Sequence, residues 1–317
     1  MFLVTGANGF VGRVLCAKIA AEGREAIACV RKRTSSETDA RIRWVEVGQM
    51  DGNTNWMNIL PGVHTVFHLA ARAHVLDETM SNPLPCFRRT NVDASAQLVR
   101  SAIRCGVKRF VFVSSIGVNG NTSGHAFTEI DDPRPTEAYS ISKWEAEQQN
   151  MFLCRDSGME LVIVRPPLVY GPGCPGNFRR LLNLVNKGLP LPFGQVNNRR
   201  SFIGVGNLAD FLFTCAVRPV PPISTFVVSD GEDISLVRLL GVLAEGMEKR
   251  LILLPVPPSL LKGVASLFGR SKIYDKICGD LYIDSSLARR TLQWNAPKSL
   301  DDGLIETARW FQRHGSV

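Results

Sequence analysis

The chain has 317 residues, of which 45% are hydrophobic and 21% are charged, and its formal net charge is +8. This composition is that of a globular protein with a core large enough for one large unit or two closely joined ones. The positive charge suits anionic ligands, but no Lys/Arg-rich run carries interleaved aromatic residues, so we expect no nucleic-acid partner. No apolar run reaches the length that spans a bilayer, so we expect no membrane insertion.

The eight cysteines are scattered, without CxxC pairs or the spacing of metal ligands. This pattern is typical of free cytosolic thiols, and it predicts no metal site. The sequence begins directly on a predicted strand, which leaves no room for a signal peptide, so we expect a cytoplasmic protein.

Residues 1–12 predict a phosphate-binding turn. Phe2–Thr5 reads as a short buried strand, and a helix with apolar periodicity follows, with Gly6, Gly9 and Gly12 between them. The first glycine allows a tight turn, the second lets the backbone approach a pyrophosphate, and the third lets the helix pack on the strand. Because the helix N-terminus also offers free N–H groups and a positive dipole end, the stretch favours a dinucleotide.

Arg31 follows a second predicted strand, over residues 25–30, and Lys32 and Arg33 come after it. At this tip an acidic residue binds the 2′-OH of NAD, whereas an arginine can hold the 2′-phosphate of NADP. The three basic residues therefore favour NADP, although a solvated loop gives the same pattern and NAD stays open.

Further strands are predicted over 43–47, 65–69, 109–114 and 161–165, alternating with helices, and this alternation predicts a doubly wound parallel α/β sheet. Gln49 and Met50 follow the third strand, near where adenine would lie, and the small residues Ala70 and Ala71 follow the fourth. After residue 165 the alternation breaks down. Among the later elements we predict a strand over 251–256 and an amphipathic helix over 258–267 that packs on the body of the protein rather than on lipid.

Ser115, Tyr139 and Lys143 form the candidate catalytic group. Ser115 follows the fifth strand at the edge where open α/β sheets bind ligands. Tyr139 and Lys143 are four residues apart on a predicted helix and so share one face. A tyrosine needs a lowered pKa to transfer protons near neutrality, and we expect the charges of Lys143 and an oxidised nicotinamide to stabilise its phenolate. Ser115 can hold the substrate oxygen beside Tyr139.

The order of these motifs resembles that of the extended short-chain dehydrogenase/reductase family, in its nucleotide-sugar epimerase/reductase branch. The resemblance covers nearly the whole chain and implies a Rossmann-type dinucleotide-binding domain over 1–165, with a return segment near 201–230. It also implies a smaller C-terminal α/β domain over 166–317 that binds the nucleotide sugar. The matching segments are TGANGFVG (5–12), HLAA (68–71), Asn91, VSS (113–115), YSISK (139–143), RPPLVYGPG (165–173) and RRSFIGVGNLAD (199–210).

The resemblance also implies site residues. It assigns catalysis to Ser115, Tyr139 and Lys143, and contacts with the nucleotide sugar to Ser115, Asn177, Leu191, Phe193 and Arg200. On chemical grounds Phe193 can stack on a base and Arg200 can bind a phosphate with two donors, although a core aromatic and a solvated charge would look the same. The implied cofactor contacts are Gly6, Gly9, Phe10, Val11, Gly12, Arg31, Gln49, Met50, Leu69, Ala70, Ala71, Asn91, Val113, Ser114, Tyr139, Lys143 and Pro166.

Two single positions and one pair of adjacent positions depart from the family pattern. Leu168 stands where many members carry Asn, and Asn119 stands where Tyr is common. Ile116 and Gly117 replace the Asp-Glu pair that follows the catalytic hydroxyl in the 4,6-dehydratase branch. Water elimination from the sugar then lacks its general acid and base, so we set a dehydratase aside.

The resemblance implies hydride transfer between a nicotinamide and C4 of a UDP-hexose or UDP-hexosamine. The basic residues at 31–33 favour a 4-reductase that uses NADPH to reduce a UDP-4-keto sugar of the UDP-hexosamine class. The resemblance suggests that such an enzyme acts in polysaccharide or O-antigen synthesis. The alternative is a 4-epimerase of UDP-glucose or UDP-N-acetylglucosamine with tightly bound NAD. A distant alternative is a non-catalytic NADP-binding protein, because a fold does not fix a function. The family also implies a homodimer.

Overall fold

The computed structural model describes residues 1–33, 39–73 and 82–315. The strands are β1 (Phe2–Thr5), β2 (Ala26–Val30), β3 (Ile42–Glu46), β4 (Thr65–His68), β5 (Arg109–Val113), β6 (Glu160–Arg165), β7 (Leu168–Tyr170), β8 (Arg200–Gly204), β9 (Ile223–Val227) and β10 (Asp233–Ile234). The helices are α1 (Phe10–Ala21), α2 (Leu84–Arg88), α3 (Ala94–Arg104), α4 (Ala138–Cys154), α5 (Gly176–Asn186), α6 (Val205–Val217), α7 (Leu236–Gly246), α8 (Pro258–Leu267), α9 (Ser271–Cys278), α10 (Ser286–Leu292) and α11 (Leu300–His314).

The main sheet has seven parallel strands in the order β3-β2-β1-β4-β5-β6-β9. This is the doubly wound, Rossmann-type sheet that the sequence predicts. The chain winds outward in both directions from β1, whose last residue, Thr5, pairs with Cys29 on one side and His68 on the other. Sheets of this kind bind their ligands at that switch point, outside the carboxyl ends of the strands.

Apolar side chains cover both faces of the main sheet, which explains why its strands read as continuous apolar runs. One face packs against α1 and α6, and the other packs against α3 and α4. Representative core residues on the first face are Leu15, Ile19, Leu208 and Leu212, and those on the second are Leu98, Val99, Ala146 and Cys154.

A second, three-stranded sheet has the order β10-β8-β7 and lies with α5, α7 and α11 around its own core. The domain boundary at 165/166 stays a prediction. Strand β9 follows β7 and β8 in sequence but pairs with β6, so the chain returns to the main sheet after that boundary.

Two later elements differ from their prediction. Residues 251–256 do not form a regular strand; Leu253 pairs with Leu191 only at an isolated bridge. Pro255 and Pro257 lack the amide N–H that a continued ladder needs. Helix α8 packs on the body less than expected, because it buries none of its residues and Leu261 packs only partly against the second core.

Candidate active site

The glycine turn between β1 and α1 brings the backbone close to the loop after β4. Gly6 has φ of +66°, and a Cβ at this position would lie 2.9 Å from the backbone N of Ala70. A Cβ on Gly12 would collide with the carbonyl O of Gly6. Gly9 donates its N–H to Gly6 O at 2.9 Å and begins α1, whose start carries no side-chain cap and no acidic residue. The turn therefore leaves the first amides of α1 open to a phosphate, and its residues fit the pyrophosphate of a dinucleotide.

Thr5 and His68 fix the two strand ends beside this turn. Thr5 Oγ1 accepts a hydrogen bond from Ala70 N at 3.2 Å and lies 2.7 Å from His68 Nδ1. His68 is buried and stacks on Phe112, and burial lowers its pKa to about 3. A neutral, packed imidazole supports the strand ends and is unsuited to acid catalysis near neutrality.

The predicted catalytic residues converge at the end of β5. Ser115 Oγ accepts a hydrogen bond from Gly117 N at 3.1 Å, and among the described residues no acceptor is recorded for its own proton. A Cβ on Gly117 would lie 2.5 Å from Ser140 Oγ and 3.4 Å from Ser115 Oγ, so the turn after Ser115 packs against the first turn of α4. That first turn of α4 carries Tyr139.

Lys143 lies one helical turn after Tyr139 and is buried. Its Nζ donates a hydrogen bond to Val113 O at 2.6 Å and lies 4.5 Å from the centre of the Phe112 ring. Burial lowers the pKa of Lys143 to about 7, which the nearby Glu147 partly counteracts. Burial also raises the pKa of Tyr139 to about 12. In the protein alone, burial therefore opposes the lowering of the tyrosine pKa that we expected from the sequence.

A buried polar network under this group was missed in the sequence. Glu147, one turn after Lys143 on α4, forms an ion pair with Arg165 at 2.6 Å and accepts a hydrogen bond from Ser114 Oγ. Arg165 also donates to Asn119 Oδ1 at 3.1 Å. The spacing of 139, 143 and 147 was the available signal, because it puts all three on one helix face. The network also gives a structural role to Asn119, the residue that stands where Tyr is common in the family, because its Oδ1 accepts the hydrogen bond from Arg165.

Asn91 ties α4 to the loop after β4. It lies in a π-helical turn between α2 and α3, and its Oδ1 accepts a hydrogen bond from Arg72 N at 2.8 Å. Its Nδ2 donates to Ser142 Oγ at 2.9 Å, and Ser142 Oγ in turn donates to Tyr139 O at 2.7 Å. The Asn91 amide therefore positions the first turn of α4, while its contact with a cofactor stays a prediction.

The other predicted cofactor residues lie along the carboxyl edge of the sheet. Arg31 is exposed at the end of β2, and Glu46 at the end of the adjacent β3 accepts a hydrogen bond from Arg33 N at 3.1 Å. Gln49 lines an open cavity of about 420 Å³ beside these ends, whereas Met50 packs partly into the core. Pro166 O accepts a hydrogen bond from Ile116 N at 2.9 Å. The residues Phe10, Val11, Leu69 and Val113 are partly buried against the cores, and Ala71 is partly buried after β4.

The predicted substrate residues lie in the second unit. Arg200 Nη1 donates to Gly279 O at 2.9 Å, and no carboxylate among the described residues pairs with its partly buried guanidinium. Its neighbour Arg199 is paired with Asp233 at 2.8 Å. Leu191 is buried with both backbone groups bonded to the 252–254 segment, so only its side chain remains for a ligand. Phe193 is partly buried, and Asn177 is exposed at the start of α5.

Two further observations concern the described residues, 1–33, 39–73 and 82–315. None of the helices there is both long and apolar enough to cross a membrane. No group of three or more His, Cys, Asp or Glu side chains could hold a metal ion.

A glycine turn at the switch point of a parallel sheet, with a serine after β5 and a tyrosine and a lysine on α4, is the arrangement of a short-chain dehydrogenase/reductase. The sequence pattern of the NAD dependent epimerase/dehydratase family matches residues 2–226. The chain belongs to this family of enzymes.

Two of the named relatives are 4-epimerases. The chain is 39% identical to a UDP-glucose 4-epimerase of Vibrio cholerae over 312 residues, which are 98% of this chain and 94% of that protein. It is 24% identical to an N-acetyl-alpha-D-glucosaminyl-diphospho-ditrans,octacis-undecaprenol 4-epimerase of Escherichia coli O157:H7, over 96% of this chain and 89% of that one. The structure of MoeE5 in complex with UDP-glucose and NAD is similar at a TM-score of 0.77 and 26% identity, over 99% of both chains.

Proposed function

We propose that the protein is a 4-epimerase of UDP-glucose or UDP-N-acetylglucosamine that works with tightly bound NAD. The observation that carries this proposal is the convergence of Ser115, Tyr139 and Lys143 at the carboxyl end of β5. The near full-length similarity to a UDP-glucose 4-epimerase supports this alternative over the reductase that the sequence favoured. Ile116 and Gly117 offer no carboxylate next to Ser115, which argues against a dehydratase.

NAD, when bound, supplies a hydride acceptor at C4 of its nicotinamide. As a phenolate, stabilised by Lys143 and the oxidised nicotinamide, Tyr139 would take the proton of the sugar C4 hydroxyl as a hydride leaves C4. After the keto sugar has turned over, the resulting phenol would return this proton to the C4 oxygen as a hydride comes back to the other face of C4. Ser115 donates a hydrogen bond to the sugar C4 oxygen and holds it beside the phenol. Lys143, held by Val113 O, supplies a positive charge under the phenolate and, by the family pattern, a contact to the cofactor ribose.

The substrate side of the proposal rests on Arg200. A cationic guanidinium with no carboxylate partner among the described residues, and with a pKa that burial lowers from an ordinary 12.5, fits the diphosphate of a UDP-sugar. Phe193 would stack on the uracil, with Asn177 and Leu191 beside it. In this arrangement residues 1–165 mainly hold the dinucleotide and residues 166–317 mainly hold the sugar nucleotide. The family also supports a homodimer.

The direct test is to give the purified protein UDP-glucose or UDP-N-acetylglucosamine with no added cofactor. The proposal expects C4 inversion, seen as the galacto product by NMR, and loss of product with the Tyr139→Phe variant. Absence of inversion with both sugars, in a protein that carries NAD, would refute the epimerase.

A second candidate, a 4-reductase of UDP-4-keto sugars in polysaccharide or O-antigen synthesis, is favoured by one observation. Arg31 and its basic neighbours stand at the end of β2, where a 2′-phosphate of NADP would lie, although Glu46 adjoins the same edge. The test is to add UDP-4-keto-6-deoxy-N-acetylhexosamine and NADPH. If NADPH is oxidised and UDP-glucose is not inverted, the 4-reductase is favoured over the 4-epimerase.

A further inference from the structure

Helices α8 and α9 present an apolar stripe to solvent. On α8 and just after it, Leu260, Val264, Leu267 and Phe268 follow one another at spacings that put them on one helix face. Leu267 is 85% exposed and Phe268 is 75% exposed. On α9, Ile273 and Ile277 share one helix face and are 53% and 38% exposed.

The two helices form a defined hairpin and not a frayed segment. Tyr274 Oη on α9 donates a hydrogen bond to Pro258 O at 3.1 Å, and Ser266 and Ser271 bring their hydroxyls to 3.0 Å at the connection. Leu261 on α8, at the edge of the stripe, packs partly against the second core. The hairpin is therefore closed by its own hydrogen bonds and joined to the body of the protein at Leu261.

The charges around the stripe are strongly biased. Residues 249–274 contain Lys249, Arg250, Lys262, Arg270 and Lys272 and no acidic residue. Acidic residues adjoin this segment: Glu248 precedes it, Asp275 lies 4.0 Å from Lys262, and Glu137 pairs with Lys276 at 2.6 Å. Helix α8 itself carries one basic residue, Lys262. An apolar helix face with a polar face and neighbouring chain whose charges are basic is the pattern of a peptide that lies in the interface of an anionic bilayer.

The hairpin also adjoins the proposed substrate residues. The carbonyl of Gly279, directly after α9, accepts the hydrogen bond from Arg200, and the segment that leads into α8 bonds to Leu191. A surface that held the hairpin would therefore lie close to the sugar-nucleotide side of the protein.

We infer that the α8–α9 hairpin is a peripheral docking site for an anionic lipid surface, with Leu267 and Phe268 entering the headgroup region and the basic residues facing acidic headgroups. A single short amphipathic hairpin predicts reversible binding that depends on lipid charge and weakens as salt is raised. A neutral surface offers only the apolar part of this interaction. The inference does not depend on which C4 reaction the enzyme performs.

The test is co-sedimentation of the full-length protein with vesicles of phosphatidylcholine alone and of phosphatidylcholine mixed with phosphatidylglycerol. The Leu267→Glu/Phe268→Glu double variant is compared with Ile130→Glu/Met57→Glu, which alters two exposed apolar residues away from the hairpin. Circular dichroism and turnover of a soluble UDP-sugar confirm that each variant is folded. Sedimentation velocity records the oligomeric state of all three proteins.

We expect binding to the anionic vesicles, weaker binding at high salt, and a loss of at least about tenfold in Leu267→Glu/Phe268→Glu but not in the control. Three results would overturn the inference. The first is no binding to anionic vesicles, and the second is equal binding of the two double variants. The third is a hairpin variant that changes the oligomeric state while vesicle binding is absent, because a second copy of the chain would then cover the hairpin.

Discussion

Glu147 and Arg165 form an ion pair, with Oε2 and Nη2 2.6 Å apart, in which the glutamate side chain is fully buried and the arginine side chain is 5% exposed. The pair joins α4 to the end of β6, and Ser114 Oγ donates to the same carboxylate. Because Ser114 precedes Ser115 and Lys143 lies one turn before Glu147, this pair connects the two elements that carry the catalytic group.

We expect Glu147→Gln to destabilise the protein strongly, because it leaves the Arg165 guanidinium buried without its countercharge. Loss of one partner of a buried pair costs about 3–5 kcal/mol, which urea unfolding monitored by circular dichroism can measure. Glu145→Gln is the matched control on the same helix, since Glu145 pairs with Arg88 at the surface. Surface pairs contribute little, so equal destabilisation of the two variants would contradict the role given to Glu147.

Tyr139→Phe removes the only proton-transfer group that we assign to the sugar C4 oxygen. The expected loss in kcat is about a hundredfold to ten-thousandfold, because general acid–base groups contribute on that scale. The edge-on contact with Phe87, with ring centres 6.3 Å apart, does not need the hydroxyl, so the variant should fold and keep NAD. A variant with near-normal kcat would remove Tyr139 from the proposed chemistry.

Lys143 should contribute to the pH dependence of the free energy of unfolding. Burial lowers its pKa from 10.5 to about 7, so between these values the unfolded chain binds more protons than the folded protein. The free energy of unfolding therefore rises with pH through this window as the cost of burying a charged Lys143 is relieved, and below the window that cost is present in full. We expect Lys143→Met to flatten that rise in urea unfolding curves between about pH 6.5 and pH 9.5. Parallel curves for the two proteins would show that the folded pKa of Lys143 is not lowered.

The features that the sequence predicts well depend on neighbours in the chain. Gly6 and Gly12 act within one strand-turn-helix unit, and Tyr139 and Lys143 act within one helical turn, so spacing alone indicates both pairs. Glu147 shares the helix face of Tyr139 and Lys143, but spacing alone does not show its ion pair, because its partners Ser114 and Arg165 lie at the ends of two strands far away in sequence. Its burial depends on contacts that become visible only once α4 lies on the sheet.

The second unit was harder to predict for the same reason. The apolar run at 251–256 suggested a strand, but regular pairing needs a partner, and only Leu253 finds one, at Leu191. The periodicity of α8 indicated an amphipathic helix correctly, yet periodicity does not say what an apolar face contacts. Here the face of Leu267 and Phe268 is exposed.

Gly12→Ala should abolish tight binding of the dinucleotide. The added Cβ would collide with Gly6 O, and the turn must open to relieve the collision, which displaces the amides at the start of α1. Isothermal titration with NAD measures the effect, and we expect affinity to fall at least about tenfold, a change of about 1.4 kcal/mol. Gly241→Ala on α7 meets open space and serves as the control, with unchanged affinity. Unchanged NAD binding by Gly12→Ala would place the dinucleotide elsewhere.

Arg200→Gln should weaken binding of the sugar nucleotide without changing the chemical step. The Arg200 guanidinium keeps one bond, to Gly279 O, and has no carboxylate partner among the described residues, so its charge is available to a diphosphate. Loss of a charge-assisted hydrogen bond costs about 1.5–3 kcal/mol, which corresponds to a rise in KM of about tenfold to a hundredfold. Arg199→Gln is the adjacent control, because Arg199 already pairs with Asp233 and stacks over Tyr282 at 4.2 Å. Steady-state kinetics with UDP-glucose separates KM from kcat, and an equal rise in KM for both variants would mean that Arg200 contributes only to the general positive charge of this surface.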